Sequence, residues 1–99
     1  MNHSNSIMYI LSSLNSVDEL SVCDEIDQDD DRFNLKFKSR KLNNICEVDI
    51  IIVDNKLTVC FTYFVKNDED YSQFSIEYKD ESDLQKIKDI YRDIVNLCS

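Results

Sequence analysis

The 99-residue chain lacks glycine, proline, alanine and tryptophan, and it has a single histidine, His3. Phosphate-binding P-loops, dinucleotide-binding fingerprints and nucleophile elbows need glycine, because only a residue without a Cβ allows the required positive φ or close backbone approach. These sites are therefore excluded. A catalytic triad is disfavoured because His3 lies near the chain terminus. We therefore expect a protein that is not an enzyme. Because glycine, alanine and proline have GC-rich codons, their absence also predicts a gene from an AT-rich genome.

The sequence also lacks an export signal and a long hydrophobic segment. Apolar runs such as Ile50–Val53 are far shorter than the ~20 residues of a membrane span. We therefore expect a cytoplasmic protein without membrane contact. The four cysteines form no CxxC motif, which favours small apolar core side chains over a metal site or a disulfide. They are Cys23, Cys46, Cys60 and Cys98. We expect no metal and no cofactor.

The hydrophobic pattern predicts an α+β fold. Apolar residues recur at helical spacing near both ends of the chain, whereas the middle is rich in β-branched and aromatic residues. The predicted elements are a helix over 6–17, strands over 33–37, 46–53, 57–65 and 74–78, and a helix that begins at residue 82. They predict one domain, residues 1–99, in which both helices cover one face of a four-stranded antiparallel meander, in the order α-β-β-β-β-α.

Asp54-Asn55 predicts a two-residue hairpin turn, because Asp and Asn tolerate the left-handed φ that glycine usually supplies. A turn at this point pairs Val53 with Lys56 and sets the register of both strands. Apolar residues then meet on one face, in the pairs Ile52–Leu57, Ile50–Val59, Val48–Phe61 and Cys46–Tyr63. We expect Phe74 of the next strand to pair with Tyr63.

Residues 18–26 allow two interpretations. Ser16 and Glu19 have the spacing of a capping box, which would start a short helix. The apolar positions Leu20, Val22 and Ile26 would equally suit an edge strand. A second capping-box pattern, Ser82 with Gln85, predicts the start of the last helix.

The net charge of −9 is concentrated in one segment of the chain. Residues 1–31 contain eight acidic residues and no lysine or arginine, whereas residues 32–99 are almost neutral. The next ten residues carry five bases, which are Arg32, Lys36, Lys38, Arg40 and Lys41. These bases either pair with the acids or form the opposite pole of a protein-binding surface. Because the neighbouring acids would repel phosphate, we expect no direct nucleic-acid binding.

The acidic segment has two main interpretations. It keeps a small protein soluble, or it docks on a basic partner protein. A calcium loop is disfavoured, because Arg32 and Lys38 occupy the positions that need glycine and glutamate. On the docking interpretation, the partner-binding residues are Asp24, Glu25, Asp27, Asp29, Asp30, Asp31, Asp68, Glu69, Asp70 and Tyr71. Phe64 is predicted on the outer face of the sheet, where an apolar patch would favour dimerisation.

The size, the acidity and the lack of catalytic motifs resemble those of proteins that neutralise other proteins. We expect a small acidic inhibitor, monomeric or homodimeric, that covers the active or nucleic-acid-binding surface of a partner with a basic surface. An immunity protein for a bacterial toxin or a phage anti-defence protein would have this profile. The alternative is a dimeric chaperone-like or adaptor module that binds a segment of a partner protein.

Overall fold

The described part of the chain forms two helices and a five-stranded antiparallel sheet with the strand order β1-β2-β3-β4-β5. A computed structural model describes the backbone of residues 3–29, 32–40, 46–65 and 69–98, and the side chains of these residues except 22–29 and 32. The elements are α1 (Ser4–Asn15), β1 (Leu20–Asp29), β2 (Arg32–Ser39), β3 (Cys46–Val53), β4 (Lys56–Tyr63), β5 (Ser72–Tyr78) and α2 (Ser82–Cys98). The predicted α+β arrangement is confirmed.

One core lies between the helices and the inner face of the sheet. Ile10 and Leu14 of α1 pack with Ile87 and Tyr91 of α2, and all four are fully buried. The sheet contributes mainly the alternating residues Phe37, Cys46, Val48, Ile50, Leu57, Val59 and Phe61. Alternation places these side chains on one face because successive residues of a strand point to opposite sides.

The hairpin between β3 and β4 has the predicted turn and register. Asp54 and Asn55 have φ values of 51° and 63°, so both adopt the left-handed conformation that this turn requires. Val53 pairs with Lys56, and the pairing continues in step to Cys46 and Tyr63. The hydrophobic pattern and the turn residues thus specify the same structure.

Residues 20–29 form an additional edge strand, so the sheet has five strands where the sequence predicts four. Of the two interpretations of residues 18–26, the strand is correct. The register between β1 and β2 shifts between Val22 and Asp24 and again between Glu25 and Asp27. Each shift adds a residue that has no partner, and this breaks the alternation by which a strand is recognised in a sequence.

Two details of the last elements differ from the predictions. Phe74 pairs with Phe61, and Ser72 pairs with Tyr63, so the register of β5 is two residues away from the expected one. Helix α2 does begin at Ser82, but its capping box lies earlier. Asp80 Oδ1 accepts a hydrogen bond from the Ser82 amide, while Asp83 Oδ2 accepts one from the Asp80 amide at 3.3 Å.

Candidate protein-binding surfaces

Four of the predicted partner-binding residues lie on β1, at one edge of the sheet. In the register with β2, Asp24 is opposite Lys36, Asp27 is opposite Asn34 and Asp29 is opposite Arg32. Glu25 lies between the two register shifts. The side chains of these four residues, and the whole of Asp30 and Asp31, lie outside the described part of the chain. The backbone thus places acidic residues of β1 beside basic residues of β2.

One ion pair joins the start of the acidic segment to the end of β2. Arg40 Nη1 lies 2.6 Å from Glu19 Oε2, and the Arg40 amide donates to the Glu19 carbonyl at 2.8 Å. Lys36 pairs with Glu47 of β3 at 3.2 Å. The sequence alone did not decide whether the basic residues pair with the acidic residues. In the structure, Arg40 pairs with Glu19. Part of the concentrated charge is therefore neutralised within the molecule.

Asp18 has a structural role that its position in the acidic segment did not reveal. Its Oδ2 accepts hydrogen bonds from the Ser39 hydroxyl and, at 3.4 Å, from the Tyr91 hydroxyl. Ser39 and Tyr91 are buried, and burial raises the pKa of the Tyr91 phenol. The carboxylate thereby ties the segment after α1 to β2 and α2. The sequence contains one signal of this role, because Asp18 lies beside Val17 and close to Leu20, and the hydrophobic pattern assigns both of these residues to packed elements.

The second acidic segment lies at the other edge of the sheet, directly before β5. Glu69 and Asp70 are exposed, and Tyr71 is 58% exposed. The Tyr71 ring meets the Phe64 ring edge to face, with 6.1 Å between centroids. Asp68 lies outside the described residues. The structure thus brings together an exposed aromatic pair and two carboxylates that the sequence identified separately.

An apolar groove of about 290 Å³ lies at the same end of β4 and β5 as this aromatic pair. It opens between α2 and the sheet and is lined by Tyr63, Phe74, Ile90, Asp93, Ile94 and Leu97. Phe74 and Leu97 are 47% and 54% exposed, although the pattern assigns both to the core. The sequence does not reveal the groove, because a periodic pattern shows which face a residue occupies but not where the opposing helix stops covering it.

The groove and the aromatic pair lie at the same end of β4 and β5 but on opposite faces of the sheet, because successive residues of a strand point to opposite sides. Tyr63 lines the groove and precedes Phe64, while Tyr71 precedes Ser72, the register partner of Tyr63. We call the two together the β5-edge surface. It consists of Phe64, Glu69, Asp70, Tyr71, Phe74, Asp93 and Leu97. Phe64 contacts Tyr71, and Phe74 and Leu97 line the groove. Exposed apolar side chains with polar residues at the margin are typical of interaction sites.

The two groups of predicted site residues do not meet. Four strand spacings of about 4.8 Å separate β1 from β5, which amounts to roughly 19 Å. They also lie towards opposite ends of the sheet, because Asp29 is at the Val53 end and Tyr71 is at the Cys46 end. The predicted residues therefore form two surfaces at diagonal corners of the sheet.

The outer face of the sheet carries a partly buried carboxyl group. Burial raises the pKa of Asp49, and the charge of Lys36, its register partner, opposes this shift. Asp49 Oδ1 and Asn34 Oδ1 are buried, and neither has a hydrogen-bond partner in the described structure. Cys60, opposite Asp49 on β4, is also buried. Apolar residues also lie on this face, where Ile51 is half-buried and Val53 and Phe64 are exposed.

The single histidine contacts the β3–β4 turn. His3 Nε2 lies 2.8 Å from Asn55 Oδ1, and both residues line a cavity of about 230 Å³. The described residues include no group of three or more His, Cys, Asp or Glu side chains positioned to hold a metal ion. Neither α1 nor α2 has the length and apolar character needed to cross a membrane. The thiols of Cys46, Cys60 and Cys98 are free and buried, as the sequence predicts.

In comparisons with known proteins, no family model, no curated protein and no solved structure matches this chain. The chemistry of the surfaces described above therefore carries the functional inference.

Proposed function

We propose that this chain is a small protein-binding inhibitor that neutralises a partner protein by covering a basic functional surface of that partner. The β5-edge surface carries this proposal. It combines four exposed apolar side chains, Phe64, Tyr71, Phe74 and Leu97, with the exposed carboxylates of Glu69, Asp70 and Asp93. Aromatic anchors surrounded by charge of one sign suit a partner with apolar and basic residues.

The overall charge supports the same proposal. A net charge of −9 on a chain of 99 residues gives a negative field that attracts a cationic surface and raises the association rate. A surface that binds phosphate or nucleic acid is cationic for the same reason. An acidic protein that covers it would compete directly with the partner's own substrate. An immunity protein or an anti-defence protein would act in this way.

The proposal is tested by isolating the partner and measuring its inhibition. The partner would be captured from the native host on the immobilised chain, identified by mass spectrometry and purified. We expect a 1:1 complex, an association rate that falls with added salt, and loss of the partner's activity at stoichiometric amounts of this chain. The variant with Tyr71→Ala and Phe74→Ala should bind at least tenfold more weakly. Met8→Ala on α1 removes an equally exposed apolar side chain and serves as the matched control.

The adaptor alternative predicts different results. A dimeric adaptor would elute as a dimer in size-exclusion chromatography, would bind with little dependence on salt, and would leave the partner's activity intact. A bound partner that keeps its full activity would contradict inhibition and support the adaptor.

A further inference from the structure

The two edges of the sheet differ in how open they are to another strand. The β1 edge has two bulges and carries four acidic residues. Bulges and charges are devices by which proteins prevent an edge from pairing with another chain. Strand β5, by contrast, pairs with β4 without a register shift and contains no lysine, arginine or proline. Its only charged residue is Glu77. The β5 edge therefore has the features of a strand that can accept a neighbour.

The groove provides sites for the side chains of such a neighbour. A strand added to β5 would point every second side chain towards α2. On that side it would meet Phe74 and Leu97, both about half exposed, and the carboxylate of Asp93. Recognition by strand addition combines main-chain hydrogen bonds with pockets for alternate side chains, and the β5 edge offers both.

Charge identifies the kind of segment that fits. Exposed acidic residues lie on both sides of β5, with Glu69 and Asp70 before it and Asp80 and Glu81 after it. Lys79, directly after the strand, lies 3.8 Å from Glu77 in an ion pair. An antiparallel pairing of β5 with a second copy, centred on Ser75, would place Asp70 opposite Asp80 of that copy. The same pairing would place Glu69 opposite Glu81. Like charges opposite each other are destabilising, so a second copy fits poorly in this register, and the net charge of −9 on each copy opposes self-pairing in any register. A segment with basic ends fits well.

We propose that β5 binds an extended segment of the partner as a sixth strand. The segment has apolar side chains at alternate positions, which enter the groove, and lysine or arginine at both ends, which face the flanking acids. This proposal rests on the proposed function, because it specifies how the β5-edge surface binds its partner. It adds that the partner contributes a strand and not a folded basic surface alone.

A labelled peptide tests this mode of binding. The probe has a lysine pair at each end of an alternating valine–threonine core, and its binding is followed by fluorescence anisotropy. A second peptide has the same sequence but is N-methylated at every amide of the core, so it keeps the charges and side chains and neither of its edges can donate the hydrogen bonds of a strand. We expect the second peptide to bind at least tenfold more weakly. We also expect the first peptide to slow amide hydrogen exchange in residues 72–78.

Substitutions on the two edges provide matched variants. Glu69→Lys with Asp70→Lys should weaken binding of the first peptide at least tenfold, as should Phe74→Ala with Leu97→Ala. Asp27→Lys with Asp29→Lys makes the same change of charge on β1 and should alter binding less than threefold. Equal binding of the two peptides, unchanged hydrogen exchange in β5 at millimolar peptide, or an equal effect of the β1 variant would overturn the proposal. Hydrogen exchange needs no substitution and so does not depend on the folding of any variant.

The failure of this proposal is distinguishable from failure of the proposed function. A purified partner that is inhibited equally well by the wild-type chain and by both β5 variants would overturn strand addition and leave inhibition intact. A captured partner that keeps its activity when bound through β5 would overturn inhibition while supporting strand addition.

Discussion

The substitution Asp18→Ala tests whether this carboxylate stabilises the fold or is only one of several surface charges in the acidic segment. Asp18 belongs to the segment that carries most of the net charge, yet its Oδ2 accepts hydrogen bonds from the hydroxyls of Ser39 and Tyr91. Ser39 is 1% exposed and Tyr91 is fully buried. The substitution therefore removes an acceptor from two hydroxyls that have little access to water.

The expected cost follows from those two hydroxyls. A hydrogen bond to a charged group contributes about 1.5–3 kcal/mol, and a buried polar group that loses its partner costs about 1–3 kcal/mol. The Ser39 and Tyr91 hydroxyls are close enough to interact, so when Asp18 is removed one of them can donate to the other, which compensates for part of the loss. We therefore expect Asp18→Ala to lower the free energy of unfolding by about 2–3 kcal/mol. Asp18→Asn keeps an acceptor oxygen, and we expect it to cost about 1 kcal/mol.

Urea denaturation at pH 7 measures the effect, provided that the m value stays constant. Glu19→Ala is the matched control, because it removes the neighbouring carboxylate from an exposed ion pair with Arg40 and should cost less than about 1 kcal/mol. The reasoning is refuted if Asp18→Ala and Glu19→Ala lower the free energy of unfolding by the same amount. Asp18 would then act only as one more surface charge.

Three further predictions concern other sites. The backbone amides of Lys79 and Asp80 lower the pKa of Asp83, so the contribution of Asp83 to stability should be lost as the pH falls below 3.8. The variant Asp83→Asn should therefore lose less stability at acidic pH than the wild type in a series of denaturation measurements. Burial raises the pKa of Cys46 from 9.0 to about 12, so stability should fall from pH 9 upwards. The variant Cys46→Ala should show a smaller fall when the free energy of unfolding is measured at increasing pH. Asn55 has a φ of 63°, so Asn55→Val should lower the free energy of unfolding by about 1–2 kcal/mol in urea, whereas Asn55→Gly should not lower it.

The sequence predicts the central part of the fold because several signals agree there. The turn at Asp54-Asn55 fixes the strand pairing, and a shift by one residue would turn the apolar face of β3 to solvent. Helix α2 is equally clear, since Ile87, Tyr91 and Ile94 recur at helical spacing in the sequence and are buried in the structure. These elements each bury one continuous apolar face, and a periodic pattern reports such a face directly.

The other elements were harder to predict for separate physical reasons. A shift of β5 by two residues keeps every side chain on the same face, so the hydrophobic pattern cannot distinguish the pairing of Phe74 with Tyr63 from its pairing with Phe61. The bulges of β1 remove its alternation. The candidate site was only partly predictable. Tyr71 stands out as an aromatic residue among acids, whereas Phe74 and Leu97 belong to apolar stripes that continue past the end of the core.

On the proposed function, the acids of β1 and the apolar side chains of the β5 edge would control different rate constants. The acids of β1 lie beside basic residues of β2 and would act on a distant partner through the net field, which governs association. The apolar side chains of the β5 edge would act after docking, when their burial slows dissociation. Asp27→Lys with Asp29→Lys should therefore lower the association rate constant, as added salt does, and leave dissociation unchanged. Phe74→Ala with Leu97→Ala should do the opposite, which stopped-flow binding to the purified partner can measure. Faster dissociation of the β1 variant would mean that its acids touch the partner, and the contact surface would then extend across both edges of the sheet.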